Sequence, residues 1–263
     1  MKYLPDSALE RLAECSNLYY IQTTDAELGT TPQEIRAFFG ITMYMAVLKF
    51  PTIRMYWQQR TWIAVVADAM NLNRFSKLRT TVGITGASGP APNSTDKLWK
   101  VRPLVDVIRA PCLELDVMEQ SSVDEQMVPF TGKVPAKQVI KSKPNPDSVK
   151  VFVRCRPDGI AHDFKTYQGK GTGIDPSYAH LGLGGSVVLR LCEELPKGRN
   201  FKRFFDIYFP SVTLLRELRM VGRQATRMMR ANRLMGCNLK SEKEFPKEGR
   251  GAMDTKVTEE GMF

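Results

Sequence analysis

Two acids set in apolar, strand-forming runs are the residues of this 263-residue chain best suited to chemistry. Asp124 lies in Val123-Asp124-Glu125-Gln126-Met127-Val128-Pro129-Phe130, and Asp206 in the aromatic run Phe204-Phe205-Asp206-Ile207-Tyr208-Phe209. A strand projects a carboxylate rigidly, and a rigid carboxylate suits a hard cation such as Mg²⁺, which takes few oxygen ligands. An isolated acid on an edge strand facing water needs no such role. A second acid in the same kind of setting points to one shared site.

The elements that must position this pair follow in a readable order. Residues 121–130, 149–155 and 162–167 have the β-branched and aromatic composition of strands. A helix over 185–195 carries Val187, Val188, Leu191 and Leu195 on one face, and Pro196 and Gly198 stop it. Asp206 ends a fourth strand. Ser211 is placed to cap a helix carrying Leu214, Leu215, Leu218 and Val221, Gly222 closes it, and a fifth strand runs over 224–229. Three strands, helix, strand, helix, strand, with acids on the first and fourth strands, is the order of the ribonuclease H-like fold, an α/β mixed sheet. Its chemistry is two-metal phosphodiester cleavage, in which ions roughly 3.5–4 Å apart stabilise the attacking and leaving oxygens. That arrangement calls for at least three acids.

Several long blocks carry a more specific resemblance. They are Val123-Asp124-Glu125-Gln126-Met127-Val128-Pro129-Phe130-Thr131-Gly132-Lys133, Lys143-Pro144-Asn145-Pro146, Gly182-Leu183-Gly184-Gly185-Ser186-Val187-Val188, Asn232-Arg233-Leu234 and Leu239-Lys240-Ser241-Glu242. Upstream, Leu48-Lys49-Phe50-Pro51-Thr52-Ile53-Arg54-Met55-Tyr56-Trp57 and Asp96-Lys97-Leu98-Trp99-Lys100-Val101-Arg102-Pro103 extend it over nearly the whole chain. Together they closely resemble the piggyBac transposase family, in particular its transposable-element-derived members. The resemblance implies that Asp124 and Asp206 are the first two catalytic, Mg²⁺-binding aspartates. It places the third beyond an insertion domain, so that this chain is expected to stop short of it and the ribonuclease H-like sheet to be incomplete. Asp254 resembles the start of that insertion, not the catalytic acid. Ile207, Pro210, Val139 and the pair Arg227-Met228 depart from the family pattern.

Charge agrees with a partner made of phosphates. The formal net charge is +10, and residues 199–250 hold 13 Lys and Arg against 5 Asp and Glu. Residues 130–150 add 5 Lys against 1 Asp. Lys133, Lys141, Lys143, Lys150, Arg230, Arg233 and Lys240 are the candidate contacts to duplex DNA. Solvated faces and helix C-terminal charges would also use such residues.

Residues 1–118 read as a helical unit, 119–235 as the ribonuclease H-like domain, and 236–263 as the start of the insertion, expected to be disordered. Thr31-Pro32-Gln33-Glu34 has capping-box spacing, and the helix after it, over 35–49, is apolar on most of its circumference, which predicts burial. Asp96 is expected to open another helix through Leu98, Val101, Leu104 and Ile108. The family resemblance assigns the helical unit to dimerisation, hence a homodimer, and to DNA binding.

Other chemistries are excluded or weak. The 5 Cys are scattered without C-x-x-C spacing, so neither a zinc site nor a disulfide framework is indicated. His162 and His180 have no paired nucleophile, and Gly182-Leu183-Gly184-Gly185 lacks the Lys-Ser/Thr of a phosphate loop and reads as a helix-opening turn, with Ser186 as a further cap. No apolar run of membrane-spanning length and no secretory segment occurs, so a soluble, non-secreted protein without a membrane partner is expected. The family resemblance and the basic charge imply a nuclear location, with duplex DNA and no small molecule as partner. Two classes remain: a metal-dependent DNA transposase acting at TTAA-like targets, and a derived DNA-binding protein that no longer transfers strands.

Overall fold

A computed structural model gives the fold. It describes residues 3–257 except 87, 88, 142, 143, 170, 171, 173, 174, 207, 210, 228–236, 238, 241–243, 245, 246 and 248. The chain divides into two compact units, one of residues 1–116, 126–151 and 161–173, the other of 117–125, 152–160 and 174–263.

The first unit begins with helices α1 (Asp6–Thr24), α2 (Pro32–Leu48), α3 (Ala64–Ala67) and α4 (Leu72–Thr81). Leu9, Leu12, Ile35, Phe38, Ile41, Tyr56, Phe75 and Leu78 form its core. Thr31 caps α2, accepting from Glu34 N at 3.2 Å, with Pro32 in the first turn where its missing N–H costs nothing. The capping box does not close. Glu34 instead receives Thr30 Oγ1 at 2.7 Å and Arg74 Nη2 of α4 at 2.6 Å, so an acid placed for a local cap ties two helices together.

Two expectations for this unit are corrected. Only the first half of α2 is buried, through Ile35, Phe38 and Ile41; Met43, Tyr44, Val47 and Leu48 are exposed, because no described residue of the unit covers that face. The helix expected from Asp96 starts later, as α5 (Arg102–Leu113). Asp96 accepts from Leu98 N at 2.9 Å and from Arg102 Nε at 2.8 Å, an aspartate turn that holds the chain out of a helix until Arg102. Downstream, β2 (Lys137–Val139) pairs antiparallel with the first residues of β3 (Asp147–Cys155), a hairpin the Pro-rich sequence did not suggest. Strand β4 (Ala161–Thr166) packs against α5, where Arg109 forks onto Asp163 and His162 Nε2 lies 2.9 Å from Leu115 O.

The second unit holds the start of β1 (Gln120–Pro129), α6 (Gly182–Cys192), β5 (Phe201–Phe205), α7 (Val212–Met220) and β6 (Arg223–Arg227). Strands β1, β5 and β6 run parallel, with Val123 opposite Phe205 and Phe205 opposite Arg227. Parallel pairing requires crossovers, and α6 and α7 supply them. Helix α6 starts at Gly182 rather than 185, so Ser186 is inside it and its Oγ lies 2.6 Å from both the Gly182 and Tyr178 carbonyls. Ser211 caps α7 as expected, accepting from Leu214 N at 3.1 Å, and Gly222 follows at φ +67°.

The six-stranded sheet has the order β2-β3-β1-β5-β6, with β4 also on β3. The ribonuclease H-like mixed α/β reading holds, with β2 as an addition. No helix among the described residues is long and apolar enough to cross a membrane.

Candidate metal and DNA site

Asp124 is the fifth residue of β1, and Asp206 is the first residue past β5, one position beyond the expected strand end. Their neighbours Val123 and Phe205 are register partners and are buried, at 1% and 6% exposure. Side chains alternate across a strand, so each acid one residue later belongs to the opposite, open face. Both are exposed, as are Ser122 and Phe204 before them. The parallel register thus brings the two acids to the same edge of one sheet face, which is the geometry the sequence reading required.

The turn after Asp206 is fixed from below. Phe209 N donates to Asp206 O at 3.3 Å, and Phe209 is buried, edge-on to Phe152 with ring centroids 5.9 Å apart. Gly184 of α6 makes room for this turn: a Cβ there would meet Phe209 Cα at 3.1 Å and Tyr208 O at 3.3 Å. Gly184 is therefore the close-packing point of the glycine run beneath the turn that follows the second acid.

Sequence reasoning missed one neighbour. Cys155, filed among scattered thiols, ends β3; burial first, and then the charge of Asp124, raise its pKa. The period-2 pattern of β3, with Phe152 and Arg154 buried and Val151 and Cys155 half-buried, is the signal that would have put it on the carboxylate face. Glu125, the other member of the acidic pair with Asp124, has an enclosed Oε2 with no hydrogen-bond donor among the described residues.

The other face of this sheet is cationic. Arg203 of β5 is fully buried, its Nη1 donating to Glu119 O at 3.2 Å and Lys202 O at 3.0 Å. Burial pushes its pKa down to about 10, with the nearby Arg154 and Arg223 adding and Cys192 opposing. Arg223 is 5% exposed and donates to Leu195 O at 2.6 Å. The basic excess over 199–250 is accordingly not all surface, because these arginines satisfy carbonyls inside the unit.

Of the candidate DNA contacts, Lys133, Lys141 and Lys240 are exposed, and Lys150 is 8% exposed on β3. Lys143, Arg230 and Arg233 lie outside the described residues. In the segment 236–263, Lys240 N donates to Asp254 Oδ2 at 2.8 Å.

Asp124 and Asp206 are exposed oxygen donors, the chemistry a hard cation takes, and neither is in an ion pair with a described Lys or Arg. Among the described residues, no group of three His, Cys, Asp or Glu comes together to hold a metal.

Comparison with known proteins agrees with this architecture. A family model described as Transposase IS4 matches residues 1–257. The chain is 30% identical over 264 residues to the human piggyBac transposable element-derived protein 3, covering 98% of this chain and 44% of that protein. It is 31% identical over 248 residues to the human piggyBac transposable element-derived protein 2, covering 91% of this chain and 41% of that one. The chain thus spans less than half the length of these relatives. Among solved structures, a piggyBac transposase in a synaptic complex with hairpin DNA superposes with TM-score 0.78 at 21% identity, covering 95% of this chain and 53% of that one. The match of the family model over almost the entire chain, on a sheet that carries both acids at one edge, makes this chain a member of the piggyBac transposase family.

Proposed function

We propose that this chain is a piggyBac transposase-derived, nuclear DNA-binding protein whose residues 1–263 do not by themselves cut or join DNA. The observation that carries the reading is the shared register of Asp124 and Asp206, which no third acid joins in a metal-holding group among the described residues. A bound Mg²⁺ would stabilise charge on the reacting phosphate oxygens. Asp124 and Asp206 would hold it, their strand and turn anchored by Val123, Phe205 and Phe209 in the core. Two carboxylates fix one cation; the paired charge stabilisation of an in-line displacement needs a further donor.

DNA binding is supported by the net charge of +10 and by the structural neighbour, whose complex contains hairpin DNA. Exposed Lys133, Lys141 and Lys240 are assigned to phosphates, with Lys143, Arg230 and Arg233 as further contacts. The helical residues 1–118 are assigned to homodimerisation and DNA contact, 119–235 to the ribonuclease H-like domain and 236–263 to the start of an insertion. The test is a strand-cleavage assay on transposon-end duplex with Mg²⁺ or Mn²⁺, run beside a DNA-binding titration. Binding without cleavage is expected. Cleavage lost in Asp124→Ala would establish the active-transposase alternative.

A further inference from the structure

Between α2 and α3 the chain forms two short 3-10 turns, Ile53–Trp57 and Gln59–Thr61, and beyond them stands Trp62. Trp57, Gln59 and Trp62 line an open notch of about 380 Å³. One wall is rigid: Trp57 Nε1 donates to Met70 O at 2.8 Å, and its ring packs on Phe75 with centroids 5.4 Å apart. The other wall, Trp62, is 51% exposed. A half-exposed indole and a fixed one lining the same open notch make a surface suited to a flat aromatic guest.

Charge decides which guest. From the end of α2 through α3 and its C-cap, residues 49–68 carry three exposed cations, Lys49, Arg54 and Arg60, against one exposed acid, Asp68. A quaternary ammonium would suit two indoles but is disfavoured by this excess of positive charge. A nucleobase has the same flat face and arrives attached to phosphates that those cations favour. We propose that this notch receives one unpaired base of a DNA strand, stacked on Trp62, with the Gln59 amide at the base edge and Arg54 and Arg60 beside the flanking phosphates. The inference rests on the DNA-binding reading above and adds a base-stacking site to it.

The test compares the full chain on a fully paired duplex and on the same duplex with a one-base bulge, by fluorescence anisotropy at fixed salt. Tighter binding to the bulged duplex is expected. Trp62→Ala should weaken binding to the bulge about tenfold and leave the paired duplex unchanged, whereas Trp62→Phe retains the preference; circular dichroism checks the fold of each variant. Equal binding to both duplexes, or a bulge preference that survives Trp62→Ala, overturns the base site while leaving DNA binding intact. Binding to neither duplex overturns both. Saturable quenching of the wild type by a trimethyl-lysine peptide, absent with the bulged DNA, would assign the notch to a cation instead.

Discussion

Gly184 of α6 and Phe209, three residues past Asp206, approach so closely that a β carbon on Gly184 would meet Phe209 Cα at 3.1 Å. The contact is helix to backbone, so no flexible side chain can yield. Gly184→Ala must therefore shift the turn that follows Asp206, and we expect a loss of about 1–3 kcal/mol in urea unfolding, the usual cost of overpacking. Gly40, within α2 and with nothing within 4 Å of its would-be Cβ, is the control. Gly40→Ala should stabilise by about 0.5–1 kcal/mol through helix propensity. Equal effects at both sites would show that the Gly184 contact imposes no constraint.

The α5 to β4 joint depends on a buried ion pair. Asp163 has no exposed side-chain surface and receives Arg109 Nε at 2.6 Å and Nη2 at 3.0 Å, with Phe164 N adding a third donor at 2.7 Å. Arg109→Met keeps the stem but leaves a carboxylate without its cation, and breaking a buried pair from one side costs about 3–5 kcal/mol. The double variant Arg109→Met, Asp163→Asn should recover part of that loss. A single variant as stable as the parent in thermal unfolding would refute the joint's importance.

Acid should loosen the helical unit through Glu34. The hydrogen bond from Arg74 holds the Glu34 pKa below its ordinary 4.5, outweighing burial, with Thr30 assisting. The folded pKa lies below the unfolded one, so the stabilisation is complete above about pH 4.5 and is lost as pH falls through the folded value. Asp96, lowered first by its hydrogen bond from Arg102, acts in the same direction. Glu34→Gln should remove part of the acid-side slope of stability against pH. An unchanged slope would count against the pair.

Charge on the surface and charge inside should separate in DNA titrations. Exposed Lys133 and Lys141, changed to Gln, should each lower the log–log salt slope by about 0.9 if each meets a phosphate. Buried Arg203, bonded to the Glu119 and Lys202 carbonyls, should leave the slope unchanged when replaced by Met, while stability responds because those carbonyls lose a donor. A slope change with Arg203→Met at unchanged stability would put that guanidinium on the DNA.

Apart from the short β2, the sequence alone determined the order of strands and helices around Asp124 and Asp206, because period-2 and period-3.6 patterns and caps such as Ser211 are local properties of the chain. It also determined that Thr31 caps α2, since that bond closes within three residues. What Glu34 binds, which face of α2 is open, and that Asp96 makes a turn instead of a helix were decided by partners distant in the chain or by competing side-chain bonds. The tertiary structure likewise decided which charges are surface. Arg203 and Lys133 count alike in a composition, but alternation on β5 turns one under α6 and a loop leaves the other in water. The meeting of the two acids belongs to both levels: each strand was legible by itself, and only the parallel register of Val123 with Phe205 brought their neighbours to one edge.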